Sequence, residues 1–157
     1  MAFSHRLQEV RAGLAARMQV SPPQYRIVMA LARAETPEMT ATALAASLDV
    51  STAFIVTEAQ KLGDMGLVKR RRNPDDARSF LIALSPQGRQ KVYDAAPITQ
   101  AVNDILFEDV NRAVMFQLVG TTQSLLEASV AALDLLQQES QVQQRPVRRV
   151  SRAAQQR

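Results

Sequence analysis

Apolar positions recur along this chain in two rhythms, and the change between them marks its organisation. From Phe3 to Met18 they fall at Phe3, Leu7, Val10, Leu14 and Met18, every four or three residues, which is one stripe of a helix. Arg6, Glu9, Arg11 and Arg17 are left for other faces. Ser21-Pro22-Pro23 then reads as a helix start, with serine as N-cap and proline where a backbone N–H is not needed. The second helix carries Tyr25, Val28, Met29 and Leu31 and stops in a loop reading AETPEM. Thr40 caps a third, whose inner side is Leu44, Ala45 and Leu48. Asp49-Val50 is a turn, and Ser51 caps a fourth helix that buries Ile55, Ala59 and Leu62 and ends near Gly66.

At Leu67 the period changes to two. Leu67 to Arg72 is a basic strand, and Asn73-Pro74-Asp75-Asp76 is turn chemistry, because proline fixes one dihedral and Asn or Asp bonds back to the backbone. In the return strand Phe80, Ile82 and Leu84 alternate with Leu81 and Ala83. Ser85-Pro86 starts a long helix containing Val92, Tyr93, Ile98, Val102, Ile105 and Leu106, with a kink expected at Pro97. A last helix begins near Asp109 and carries Val114, Leu118, Leu125, Leu126, Val130, Leu133 and Leu136. After Ser140 periodicity ends, and residues 140–157 read as a basic disordered tail.

This order predicts a mainly α fold with a two-stranded β-wing: a winged helix-turn-helix with an all-helical dimerisation region. Residues 1–139 form a single domain, with the winged lobe over 21–89 and the helical region over 3–20 and 90–139. The first and last apolar stripes lie outside the compact winged unit, so their economical burial is against a second copy of the chain. A helix-turn-helix followed by a basic hairpin puts one helix in the DNA major groove with the hairpin beside it.

Charge sharpens that reading. The net charge of +4 is unevenly spread: residues 61–91 carry eight basic and three acidic side chains, residues 92–139 one basic and seven acidic, and residues 140–157 five arginines and no acid. Positive charge concentrates on the wing and tail, the footprint of a polyanion binder, while the acidic segment between them would be repelled by phosphate. The absence of cysteine excludes disulfides, a thiol switch and Cys-ligated metal. No apolar run reaches the roughly 20 residues that a bilayer requires. His5, Arg6, Glu9 and Arg11 interrupt any leader-like segment, so a cytoplasmic protein without membrane partners is expected. No nucleophile–base pair, phosphate loop or carboxylate dyad stands out, and none of the five glycines makes a G-x-G. An enzyme, a cofactor and a metal are therefore not expected. His5 is the only histidine, and with Glu9 it makes half a metal site at best.

The run Gly66-Leu67-Val68-Lys69-Arg70, then Asp76-Ala77-Arg78, then Ala83-Leu84-Ser85-Pro86-Gln87-Gly88 resembles the "GLVxR … DxR … LTxxG" pattern of the MarR family of bacterial winged-helix regulators, with serine in place of threonine. The resemblance covers Val20 to Arg89 by motif and residues 1–139 by element order. It implies a homodimer joined through its first and last two helices, a pseudo-palindromic operator, and in many members a small, often aromatic or phenolic, effector. It also implies that Arg78 enters the minor groove and that Asp76 supports the wing by orienting arginine through a charge-assisted bond.

On the fourth helix the outward candidates for DNA contact are Ser51, Thr52, Ala53, Thr57 and Lys61, against the alternative of a helix cap with ordinary polar surface. Arg70, Arg71, Arg72 and Arg78 bracket the wing tip; Arg70, Arg72 and Arg78 are the candidate contacts there. Phe54 and Val56 fall near the exposed side and Glu58 stands where the family pattern has an apolar residue, so base readout through apolar contacts is one expectation. His5, Met18, Tyr25 and Met29 are candidates to line an effector site, although the last three are more often core.

The function expected is a homodimeric transcriptional regulator, a repressor, that binds double-stranded DNA and is relieved by a small ligand. A chromosome-binding protein without sequence preference and a winged-helix protein-interaction module are the alternatives.

Overall fold

The computed structural model describes residues 2–143 apart from Ala77. The chain divides into two compact units, Met1–Leu106 and Phe107–Arg157. The first holds α1 (Ala2–Arg17), α2 (Pro22–Arg33), β1 (Met39–Thr40), α3 (Ala41–Leu48), α4 (Thr52–Asp64), β2 (Val68–Arg72), β3 (Phe80–Leu84) and α5 (Pro86–Leu106). The second holds α6 (Arg112–Gln143).

Local chemistry sets the helix ends. The Ser21 hydroxyl accepts from the Gln24 backbone N–H at 3.3 Å, and the Gln24 side chain accepts from the Ser21 N–H at 3.0 Å, a reciprocal capping box. Thr40 and Ser51 cap α3 and α4 through the N–H groups of Ala43 and Phe54. Three helices end on a left-handed residue, Gln19 (φ 54°), Asp49 (φ 52°) and Gly66 (φ 73°). After each, the next N–H reaches back five residues: Val20 to Ala15, Val50 to Ala45 and Leu67 to Leu62, at 3.1, 3.1 and 2.9 Å. These closures satisfy helix-end carbonyls and set the sharp changes of direction between elements.

The sheet has three strands in the order β1-β3-β2, all antiparallel neighbours. The expected two-stranded wing is thus extended by Met39 and Thr40, which pair with Ile82 and Leu81. Two residues are too few to display a period of two, so this strand leaves no mark in the sequence pattern. In the hairpin, Val68 lies opposite Leu84, Arg70 opposite Ile82 and Arg72 opposite Phe80. The base of that face is buried and its far end is exposed.

One core joins Met18, Ile27, Val28, Leu44, Ile55, Leu62, Leu67 and Ile82. Each such side chain contributes about 1.5–3 kcal/mol on burial. The Phe3–Met18 stripe, expected to lie outside the winged unit, divides instead: Leu14 and Met18 are buried in this core, Leu7 and Val10 are half-buried, and Phe3 is exposed. The α1 turn at Gln19–Val20 brings the end of the helix onto α2, and that turn decides the split.

The LSPQG segment locks the hairpin to α5. The Ser85 hydroxyl donates to the Gly66 carbonyl at 2.6 Å and accepts from the Gly88 N–H at 2.9 Å, while the Ser85 N–H donates to the Leu67 carbonyl at 3.0 Å. A Cβ on Gly88 would stand 2.0 Å from that same Leu67 carbonyl oxygen, so only glycine allows the approach. From there α5 runs unbroken through Pro97 to Leu106. In the second unit, α6 continues to Gln143, four residues into the segment expected to be tail. The rest of that segment, 144–157, lies outside the described residues.

Candidate nucleic-acid interface

Helices α3 and α4 meet at 108°, within the range of a helix-turn-helix pair. On α4 the buried positions Ile55, Glu58, Ala59 and Leu62 share one face. At 100° per residue, Ala53, Val56, Thr57 and Gln60 then lie on the opposite side, flanked by Phe54 and Lys61; all six are exposed. The structure therefore brings the expected contacts Thr52, Ala53, Thr57 and Lys61 to the outer surface of one helix, with Ser51 at its N-cap.

Apart from the expected Ser51 cap, their hydrogen bonds were not legible in the sequence. Ser51 is occupied as a cap, and the Thr57 hydroxyl donates to the Ala53 carbonyl at 3.0 Å. Glu58 is buried at 7% exposure and anchors the helix from inside: it accepts from Gln24 Nε2 at 3.1 Å and from Lys61 Nζ at 2.7 Å. The only cation of α4 is thus the counter-ion of its buried carboxylate. The Gln60 amide donates to Asp64 at 2.9 Å and accepts from the Arg70 guanidinium. Arg70 also lies 5.1 Å from the centroid of the Phe80 ring, so it ties the wing to α4.

The remaining wing cations differ in their pairing. Arg71 holds the Glu38 carboxylate in a fork, its Nε 2.8 and 3.1 Å from the two oxygens and one terminal nitrogen closing the second contact. Those hydrogen bonds, together with the Arg71 charge, hold the Glu38 carboxyl below its ordinary value and raise the guanidinium. Lys69, Arg72 and Arg78 are exposed, and none has an ion pair among the described residues. Asp76 supports the tip through the backbone rather than through a guanidinium: its carboxylate accepts from the Arg78 N–H at 3.0 Å and its carbonyl from the Ser79 N–H at 2.9 Å. Asn73 closes the same turn, donating from Nδ2 to the Ser79 hydroxyl at 2.9 Å. The wing is a hairpin with three cations that have no ion pair among the described residues, suited to phosphate or a narrow minor groove.

Three of the four effector-site candidates, Met18, Tyr25 and Met29, belong to or pack against the core, and His5 does not join them. Met18 and Tyr25 are buried in the core, and His5 is exposed on α1 with Nδ1 3.8 Å from Glu9. Met29 lines a cleft of about 360 Å³ between α2 and α5, whose other walls are Val92, Ala96, Thr99, Gln100, Asn103 and Asp104. No group of three or more His, Asp or Glu among the described residues is arranged to hold a metal. No single described helix is long and apolar enough to cross a membrane.

A helix-turn-helix with an outward second helix and a cationic hairpin beside it defines a winged-helix DNA-binding protein. The sequence model of the MarR family matches residues 18–79, from the end of α1 through the wing tip, so this lobe is similar to that of MarR-family DNA-binding transcriptional regulators. Solved structures agree in fold. A MarR-family transcriptional regulator from Rhodococcus sp. RHA1 is similar with a TM-score of 0.66 at 23% identity, over 79% of this chain and 86% of that one. AbsC, a MarR-family transcriptional regulator from Streptomyces coelicolor, is similar with a TM-score of 0.70 at 19% identity, over 81% and 87%. The PcaV transcriptional regulator from Streptomyces coelicolor, solved in complex with its natural ligand, is similar with a TM-score of 0.65 at 19% identity, over 81% and 91%. Comparison with curated proteins gave no match.

Proposed function

We propose that this protein is a homodimeric transcriptional repressor that binds a pseudo-palindromic operator and is released from it by a small ligand. The observation that carries the reading is the outward face of α4 beside Lys69, Arg72 and Arg78 of the wing, a helix and hairpin of the shape that enters adjacent grooves. Ser51, Thr52, Ala53, Thr57 and Lys61 border the major groove in this reading, Arg70 braces the wing, and Arg72 and Arg78 face the phosphates or the minor groove.

Dimerisation is supported by α6, where Val119, Leu126, Val130 and Leu133 recur at seven, four and three residues and are all exposed in the single chain. Exposed apolar stripes of this length mark association surfaces. A two-fold dimer presents two recognition helices to half-sites about 34 Å apart, so a small rotation of the lobes misaligns both. The ligand complex of PcaV supports an effector here, and the cleft at Met29 is a candidate cavity for it.

Selection of preferred duplexes from a random pool, followed by binding titration, tests the reading. An inverted repeat bound at least a thousandfold more tightly than random DNA supports it. A ratio near one would instead favour a chromosome-coating protein, and no binding at low salt an interaction module.

A further inference from the structure

The DNA reading just proposed leaves open how α4 would tell one base pair from another. Major-groove discrimination normally uses Arg or Lys on guanine, Asn or Gln on adenine, and apolar side chains on the thymine methyl. Thr52–Asp64 contains no Arg and no Asn. Its one lysine, Lys61, neutralises Glu58, whose carboxylate is buried; moving Lys61 to a base would leave that charge with Gln24 alone. Its one glutamine, Gln60, spends both ends of its amide on Asp64 and Arg70. The Thr57 hydroxyl is turned back to the Ala53 carbonyl, which leaves its methyl as the free group. What the outer face presents is apolar: Ala53, Phe54 at 37% exposure, Val56 at 44% and the Thr57 methyl. Of the side-chain hydroxyls and amides on α4, only that of Thr52 has no internal partner among the described residues.

We infer that this helix discriminates bases chiefly by van der Waals contact with the C5-methyl groups of thymine. Ala53, Val56 and Thr57 are the specificity-determining residues, and the Glu58–Lys61 pair withholds the one cation that would otherwise draw the helix to guanine. Affinity is then supplied by the wing cations and selectivity by methyl contacts. The preferred half-site is rich in T·A pairs where it faces α4, and methyl groups on its thymines are required individually.

The test uses the full chain and duplexes selected as above, so the wider reading is examined first: a pool that yields no preferred sequence overturns the regulator reading and this inference together. With a preferred duplex in hand, each thymine facing α4 is replaced by deoxyuridine, which removes only the methyl. Each guanine is separately replaced by 7-deazaguanine, which removes the N7 acceptor. The expected result is a loss of about fourfold per contacted methyl, the worth of one buried CH₂ group, with 7-deazaguanine neutral. Loss at 7-deazaguanine with uracil tolerated throughout would overturn the inference while leaving the regulator reading intact. Val56→Ala, at an exposed position that folding does not need, is expected to abolish the uracil effect at one thymine and leave the others unchanged. Glu58→Gln frees Lys61 and is expected to steepen the dependence of log affinity on log salt by about 0.9; an unchanged slope contradicts the withholding role.

Discussion

The two compact units handle their apolar side chains in opposite ways. In residues 2–106, Ile27, Leu44, Ile55, Leu62 and Ile82 are fully buried against one another. In α6, Leu118, Leu125, Leu126, Val130 and Leu133 are all exposed, although the helix is longer than any in the lobe. The first unit has eight elements over which to close a core, whereas the second has one described helix. Helices gain most of their stability from packing rather than from propensity, and the exposed apolar positions of α6 are the surface on which the proposed dimerisation rests. The first unit thus has a buried core of its own, whereas the apolar side chains of α6 remain exposed in the single chain.

The sharpest way to break this contrast is to shorten a leucine in each unit. Leu62→Ala removes a fully buried side chain and should lower the lobe's unfolding free energy by about 2–5 kcal/mol. Leu126→Ala should leave the lobe's denaturant midpoint within about 0.5 kcal/mol and weaken self-association instead. Equal losses of lobe stability from both variants, read by urea titration, would erase the distinction.

A smaller effect separates the wing from the core beneath it. Arg78 has an exposed side chain, with its N–H held by Asp76. Arg78→Ala should weaken DNA binding by about 1–3 kcal/mol and leave thermal stability unchanged. Asp76→Ala, by contrast, should loosen the tip and reduce binding indirectly, without removing a cation. Stability falling while affinity holds would make Arg78 a structural residue.

Smaller again is the Lys61 contribution. Lys61→Ala leaves the buried Glu58 carboxylate with Gln24 as its one partner and should destabilise the lobe by about 1 kcal/mol, a figure held down by the half-exposure of the lysine. Glu58→Gln with Lys61→Ala should recover part of that loss, because the uncompensated charge is gone. Additive losses in the double variant would mean that the pair is not coupled.

The smallest effect is a pH dependence at the wing edge. The Arg71 hydrogen bonds hold the Glu38 carboxyl below its ordinary value of 4.5. A depressed carboxyl stabilises the fold above its unfolded value and loses that contribution as pH falls through the lower folded value. Glu38→Gln should therefore flatten the acid limb of the stability curve below about pH 4.5 and change little at pH 7. An acid limb identical in the variant would show that Arg71 and Glu38 do not stay paired in solution.

Much of the lobe was legible from the chain because its signals are local. Ser21, Thr40 and Ser51 cap the helices they precede, and the alternation from Phe80 to Leu84 follows one strand face. What stayed hidden depends on contacts between distant residues. Glu58 reads as an acid at a position where the family pattern is apolar, and nothing near it in the chain marks Gln24, 34 residues away, as the group that donates to it. Arg71 resembles its basic neighbours until Glu38, 33 residues earlier, pairs with it. Asp76 was expected to hold a guanidinium, but a turn that tight offers it a backbone N–H first. The apolar stripe from Phe3 to Met18 has no internal mark to show where burial begins; the left-handed turn at Gln19 decides that.

If the first unit reads DNA while α6 pairs two copies, as proposed, stoichiometry on a selected duplex shows it most directly. Sedimentation of the full chain with that duplex should give two chains per DNA, with half-site centres about 10 base pairs apart. The Leu126→Glu, Leu133→Glu double variant should then bind as single chains with each lobe still folded. One wild-type chain per duplex, or a double variant that still binds as a pair, would contradict the account.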